Sequence, residues 1–322
     1  MPGRVSVAIN ADKPQLWKAD IATSVDCFNT WFMKFAPEAY RKSRASTTEK
    51  VKQALIRTKD LSDVSPDMLK EHPEVLPTLR MSTAPPIARD RLIGLAQTSS
   101  NLVKRMEEGN LPPHMAGANV DEHLKRICGV LTELLDRDIF PWLAEKKAPS
   151  DVERDRASTI VADRLCGAVA DPIVRNAQEK RQLALIEEFL LSHGYQKKAH
   201  PSGRPIVEME PGTFSFRMNV VVGRVKRVNI PIDVVVQPKK PRASKIPVLI
   251  EAKSAGDFTN TNKRRKEEAK KIDQLRDTYG KDTQLVLFLC GYFDSGYLGY
   301  EAAEGLDWVW EHRINDLLRL GL

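Results

Sequence analysis

The chain has 322 residues, 42% of them hydrophobic, and a formal net charge of +7, which excludes a disordered or fibrous protein and allows one elaborated domain or two. No apolar run approaches the roughly 20 residues that a bilayer crossing needs, and the opening MPGRVSVAINADKPQLWKAD has no apolar core for a secretory signal, so a soluble cytoplasmic protein is expected.

Residues 1–150 read as helices separated by proline-rich breaks: PEVLP at Pro73, TAPPIARD at Pro85 and GNLPPHMAGAN at Pro112. From Asp121, the residues Leu124, Ile127, Cys128, Leu131 and Leu134 recur at helical spacing, and this helix is expected to kink or end at Pro141. Ser150 and Glu153 have the form of a capping box, so a new helix should start there. Pro172 is expected to divide it from the next, a long amphipathic helix over PIVRNAQEKRQLALIEEFLLSHGY stopped at Gly194. The period then becomes extended. Residues 213–222 and 228–236 predict two strands joined by a turn at Gly223. A basic loop, QPKKPRASK, leads to a third strand, IPVLIEAK, then a polar loop, a charged helix over residues 263–279 and a last apolar strand, QLVLFLCGYF. This order predicts an α/β core with a mixed central sheet flanked by helices, behind a mainly helical N-terminal region.

Residues 195–281 hold 20 Lys and Arg against 9 Asp and Glu, a net +11 that leaves −4 for the rest of the chain. So localised a surplus suits a polyanion surface, with a solvated basic face as the alternative. The four cysteines, Cys27, Cys128, Cys166 and Cys290, include no CxxC pair and read as reduced structural thiols. His72, His114, His123, His193, His200 and His312 show no ligand spacing, against a histidine-bound metal site. The aromatic pairs Trp308/Trp310 and Trp31/Phe32 read as core.

Phosphodiester hydrolysis needs a metal ion to neutralise charge and lower the pKa of water, with a cation near the nucleophile. An Asp on one strand and a Glu on its neighbour suit hard Mg²⁺. A Lys two residues after that Glu projects to the same side of the strand. Asp233 in PIDVVV and Glu251-Ala252-Lys253 in VLIEAK meet this description. The alternative is a salt bridge at a sheet end. The tripeptide of acid, any residue and Lys also occurs at Glu145 and at Glu268. Those copies read as solvated pairs, the second within a charged helix, and their removal is expected to leave activity intact.

After the strand, Ser254, Thr259, Asn260 and Asn262 are short hydrogen-bonding side chains, and Lys263, Arg264, Arg265 and Lys266 place cations at a helix start. Cations there oppose the helix dipole unless phosphate compensates, which marks Ser254, Thr259, Asn260, Asn262, Lys263 and Arg264 as candidate DNA contacts. A lysine-rich exposed helix balanced by Glu267 and Glu268 is the alternative. Lys239, Lys240, Arg242 and Lys245 suit either backbone gripping or a soluble hairpin. Glu187, on the helix before the sheet, is a possible further catalytic carboxylate or a surface glutamate.

The order Asp233, Glu251-x-Lys253 resembles the PD-(D/E)XK nuclease superfamily, with Ile232 standing between the proline and the aspartate. The segments NADKPQLWKADIATSVD, MSTAPPIARDRLIGLA and EAKSAGDFTNTNKRRKEEAKK resemble XamI-type type II restriction endonucleases. That resemblance implies a restriction-endonuclease-like fold and Mg²⁺-dependent cutting of double-stranded DNA within the palindrome GTCGAC to leave 5′-phosphate ends. Asp233, Glu251 and Lys253 would be catalytic, with the Ala252 backbone carbonyl a further metal ligand. It also implies a companion DNA methyltransferase for the same site, and the palindrome favours a homodimer. Residues 1–150 would then serve recognition and dimerisation, and residues 151–322 catalysis. A structure- or damage-specific repair nuclease and a non-catalytic DNA-binding protein are the competing readings.

Overall fold

The computed structural model describes residues 8–113, 117–201, 203–223, 227–240, 246–259 and 261–322, apart from the side chains of residues 117, 118 and 261–266. The helices are α1 (Pro14–Arg57), α2 (Pro66–Glu71), α3 (Leu76–Met81), α4 (Arg89–Ala96), α5 (Ser100–Glu107), α6 (Gly117–Leu134), α7 (Pro141–Glu145), α8 (Asp151–Ser192), α9 (Thr261–Tyr279) and α10 (Ser295–Ala303). The strands are β1 (Gln196–Lys197), β2 (Thr213–Val222), β3 (Val228–Gln237), β4 (Val248–Ala255), β5 (Leu285–Gly291) and β6 (Asp307–Trp310). The chain divides into two compact units, one of residues up to Phe35 with Arg175–Leu322, the other Ala36–Val174.

In the first unit the six strands form one sheet in chain order. The pairs β1/β2, β4/β5 and β5/β6 are parallel, whereas β2/β3 and β3/β4 are antiparallel. This is the mixed α/β architecture expected. Strand β5 is buried along its whole length, as a central strand covered on both faces must be, and its sequence is correspondingly apolar without alternation. One face packs Phe214, Val234, Val236, Ile250 and Phe288 against Leu183, Ile186 and Leu190 of α8. On the other, Val220, Ile232, Val235 and Leu249 meet Ile272 and Leu275 of α9.

Residues before Phe35 join this unit through specific bonds. The Asn10 and Ala11 amides donate to Asp307 Oδ1 at 2.9 and 3.1 Å, and Asp20 pairs with Arg313 at 2.9 Å. The Gly291 amide donates to Ser24 Oγ at 2.8 Å. A Cβ at Gly291, where φ is +102°, would lie 2.1 Å from the Ala255 carbonyl oxygen, so only glycine fits. The second unit encloses Leu69, Leu76, Leu79, Leu92, Leu124 and Phe140. Its capping box forms as expected, with the Ser150 amide donating to Glu153 Oε2 at 2.8 Å and the Glu153 amide donating to Ser150 Oγ at 3.3 Å.

Several local expectations are corrected. Helix α8 continues through Pro172, which costs one backbone hydrogen bond but interrupts a helix whose two halves are each anchored in a core, by Val161 and Leu165 before it and Ile186 and Leu190 after it. Helix α6 stops at Leu134, and Pro141 begins α7 at its first turn, where its missing N–H costs nothing. The segment DWVW is strand β6. Trp308 and Trp310 are buried as expected, whereas Phe32 is exposed, its ring stacked on Phe28.

Candidate active site

Strands β3 and β4 run antiparallel with Val234 opposite Ile250, and their pairing ends there, just before Asp233 and Glu251. The Ala252 amide, freed from the ladder, donates to Asp233 Oδ2 at 2.9 Å. Burial and the nearby Glu251 charge push the Asp233 carboxyl above the usual aspartate range, outweighing the Ala252 bond and the lysines. Two carboxylates brought this close leave the site short of positive charge.

Lys253 stands beside Glu251 with its Nζ 3.6 Å from Glu251 Oε2, and it lies 3.1 Å from Glu268 Oε1 of α9. Burial alone would lower the Lys253 pKa, but Glu251, Glu268 and Asp233 outweigh it and hold the ammonium above the usual lysine range. Lys271, one turn after Glu268, donates to Glu251 Oε1 at 2.8 Å and to the Pro231 carbonyl at 3.0 Å. From α8, the buried Gln182 amide donates to the carbonyls of Lys253 and Phe288 at 3.3 and 3.2 Å, fixing β4 and β5 behind the site. Lys253 thus pairs with Glu251 and Glu268, and Lys271 with Glu251, beside Asp233.

The donor set is oxygen-rich and lacks His and Cys, which suits a hard divalent cation rather than zinc. Among the described residues no group of three or more His, Cys, Asp and Glu converges as a ready-made metal cluster; Asp233 and Glu251 are adjacent carboxylates that could serve as ligands to an ion. A cation at Asp233 would offset the burial and the Glu251 charge that together raise its pKa.

The model of the XamI restriction endonuclease family matches residues 59–310. The chain belongs to this family. It is also 60% identical to the type II restriction enzyme SalI of Streptomyces albus G over 313 residues, 97% of the chain and 99% of that relative. No solved structure matches. This XamI-family chain is a type II restriction endonuclease that cuts DNA sequence-specifically, a class of enzyme that uses divalent metal ions. No helix among the described residues is long and apolar enough to cross a membrane.

Within the XamI-family chain, the expected trio of Asp233, Glu251 and Lys253 comes together, whereas the reading of Glu268 as a solvated residue is wrong. Glu268 is 1% exposed, because it lies four and seven residues before Ile272 and Leu275 on the buried stripe of α9. That stripe was the available signal, and the surrounding run of lysines and arginines hid it. Lys271 was also missed. The remaining copy of the tripeptide behaves as expected, Glu145 and Lys147 forming an exposed pair at 2.6 Å. Glu187 is bridged to Lys197 by both carboxylate oxygens at 3.0 and 3.1 Å, and the α8 carboxylate lining the cleft at Asp233 is Glu179.

Of the candidate DNA contacts, Thr259 turns back on Asp257, its amide and hydroxyl donating to Asp257 Oδ1 at 2.9 and 2.5 Å, and Ser254 lies half-buried at the end of β4. Asn260 lies outside the described residues, as do the side chains of Asn262, Lys263, Arg264, Arg265 and Lys266. Arg242 and Lys245 of the basic loop also fall outside. Lys239 is committed elsewhere, donating to the His193 carbonyl at 2.5 Å where α8 ends. The cysteines are free thiols, and burial pushes Cys128 up to about 12.

Proposed function

We propose that this restriction endonuclease hydrolyses double-stranded DNA with Mg²⁺ held by Asp233, Glu251 and the Ala252 backbone carbonyl, and with Lys253 as the neighbouring cation. The observation that carries this reading is the placement of the buried Asp233 beside Glu251, where burial first and the Glu251 charge second raise the Asp233 pKa, next to the Lys253 ammonium paired with Glu251 and Glu268. When bound, the ion neutralises charge on the scissile phosphate and lowers the pKa of the attacking water. The Ala252 N–H donates to one oxygen of Asp233 and so orients its carboxylate. Lys271 neutralises Glu251 in the free protein. Lys253 orients the attacking water or helps deprotonate it, and its charge stabilises the phosphate oxygens as negative charge develops there. Glu268 keeps that ammonium in place.

In-line attack leaves a 5′-phosphate and a 3′-hydroxyl. The target is the palindrome GTCGAC, read by a homodimer whose two-fold axis matches that of the site. Residues 1–150 contribute recognition and dimerisation, and the polar and basic segment from Ser254 to Arg264 grips the backbone. The enzyme acts in the cytoplasm beside a methyltransferase that protects the same sequence. Plasmid digestion with Mg²⁺ and then with EDTA, followed by sequencing of the ends, tests this. Discrete bands with 5′-phosphate ends at GTCGAC are expected only with the metal. Smearing, cutting elsewhere or activity in EDTA would refute it.

A further inference from the structure

A cleft of about 410 Å³ opens beside Asp233, lined by Asn176, Glu179 and Lys180 of α8, Arg217 of β2, and Pro231 and Ile232. We propose that Arg217 is a phosphate-binding residue for the DNA strand at the reaction centre, held in reserve on Glu179 until DNA enters this cleft. The inference rests on Asp233 marking the reaction centre.

Three observations converge on Arg217. In β2, Phe216 pairs with Val234 and Met218 with Ile232, but pairing lapses between them at Arg217 and Asp233. Arg217 has φ of +50° there, a left-handed conformation that costs energy for any residue with a Cβ and is rare in a strand. Such a lapse in a sheet re-aims a side chain, and the one re-aimed here is the arginine directly across from the catalytic aspartate. Secondly, its guanidinium Nη2 donates to Glu179 at 2.8 Å, yet the two side chains are 60% and 41% exposed. An exposed pair of this kind contributes little to the fold and exchanges readily, so fold stability does not account for the strained backbone. Thirdly, Asn176, Glu179 and Lys180 share one face of α8, immediately before the stripe Leu183, Ile186 and Leu190 that packs on the sheet. That packing fixes the wall of the cleft relative to Asp233. Guanidinium is the side-chain group best matched to phosphate oxygens, which it binds bidentately. A DNA strand entering the cleft can take Arg217 from Glu179 by offering a phosphate in place of a carboxylate.

The test reads DNA binding in EDTA, by fluorescence anisotropy of a duplex containing GTCGAC and of one lacking it, across a salt series. Arg217→Asn removes the cation and substitutes a residue that tolerates the left-handed backbone, so lost binding cannot be assigned to strain. It should weaken binding on the order of tenfold for both duplexes, because phosphates carry no sequence, and reduce the salt slope by about one. Arg217→Lys should recover part of the affinity. Glu179→Gln should bind at least as tightly as the parent, and the double variant should match Arg217→Asn. The proposal falls if Arg217→Asn keeps the parental affinity and slope, or if Glu179→Gln loses as much binding as Arg217→Asn, since the pair would then be a strut. With no metal present and no cleavage read, failure of the Asp233, Glu251 and Lys253 assignment would leave these results untouched. Loss of metal-dependent cutting would test that assignment separately.

Discussion

Replacing Glu268 by Gln probes the link between α9 and the proposed reaction centre. Glu268 is 1% exposed with Oε1 3.1 Å from the Lys253 ammonium, and the only other carboxylate paired with that ammonium among the described residues is Glu251, at 3.6 Å. At an effective dielectric constant of about 20, these distances correspond to roughly 5 kcal/mol of attraction each, so Glu268 pulls on Lys253 about as strongly as Glu251, with Asp233 adding a smaller share. Desolvation of the buried ions consumes much of this attraction, and Gln retains a neutral hydrogen bond. A net loss of about 2 kcal/mol, or roughly thirtyfold in kcat, is expected. KM for plasmid DNA should change less than about threefold, because most affinity comes from phosphate contacts elsewhere. Glu268 holds the Lys253 pKa up, so its neutralisation must move the alkaline limb of the pH–rate profile to lower pH. The assay is steady-state cleavage of supercoiled plasmid across pH, with circular dichroism to establish folding. A folded variant with parental kcat and an unmoved alkaline limb would refute the positioning role.

Asp233→Asn should reduce cutting by more than about a hundredfold through loss of a metal ligand, yet melt at a higher temperature than the parent at neutral pH. The folded pKa of Asp233 is raised, so the folded state holds its proton more tightly than the unfolded chain, and stability falls as pH rises from the unfolded to the folded pKa. The thermal advantage of Asn should therefore vanish below the ordinary aspartate range, and an equal or lower melting temperature at neutral pH would contradict the sign. Lys239→Ala should cost about 1 kcal/mol of stability in chemical denaturation through the lost bond at the end of α8, with no change in the salt slope of DNA binding. Lys263 and Arg264 changed together to Ala should flatten that slope by about one unit per lost phosphate contact, and an unchanged slope would remove them from the interface.

Strands β2 to β5 were legible because their apolar runs, turn glycines and β-branched residues agree locally. The convergence of Asp233, Glu251 and Lys253 followed from strand alternation. What sequence hid was set by tertiary packing. Glu268 and Lys271 are three residues apart in a helix dense with charge, and only the docking of Ile272 and Leu275 on the sheet turns their face toward Lys253. Strand β6 is four residues long, too short for a period to declare itself, and it gains its identity by pairing with β5. The NADKPQLWKADIATSVD segment precedes the residues 59–310 that the family model matches, yet it is tied to the sheet. Its Asn10, Asp20 and Ser24 bond to Asp307, Arg313 and Gly291, at separations no local pattern can reveal. Arg217 was invisible for the complementary reason, since nothing in TFSFRMNVVV announces a left-handed residue.

The most direct measurement compares single-turnover plasmid cleavage in Mg²⁺ by Glu251→Ala and Glu145→Ala, two folded variants that each break one copy of the same tripeptide, with DNA binding measured alongside. The Glu251 variant should cut on the order of a thousandfold more slowly than the parent while binding DNA within a few-fold of it, because loss of charge stabilisation at such a centre costs several kcal/mol. The Glu145 variant, which loses an exposed ion pair, should cut at the parental rate. Parental cutting by Glu251→Ala would contradict the catalytic assignment.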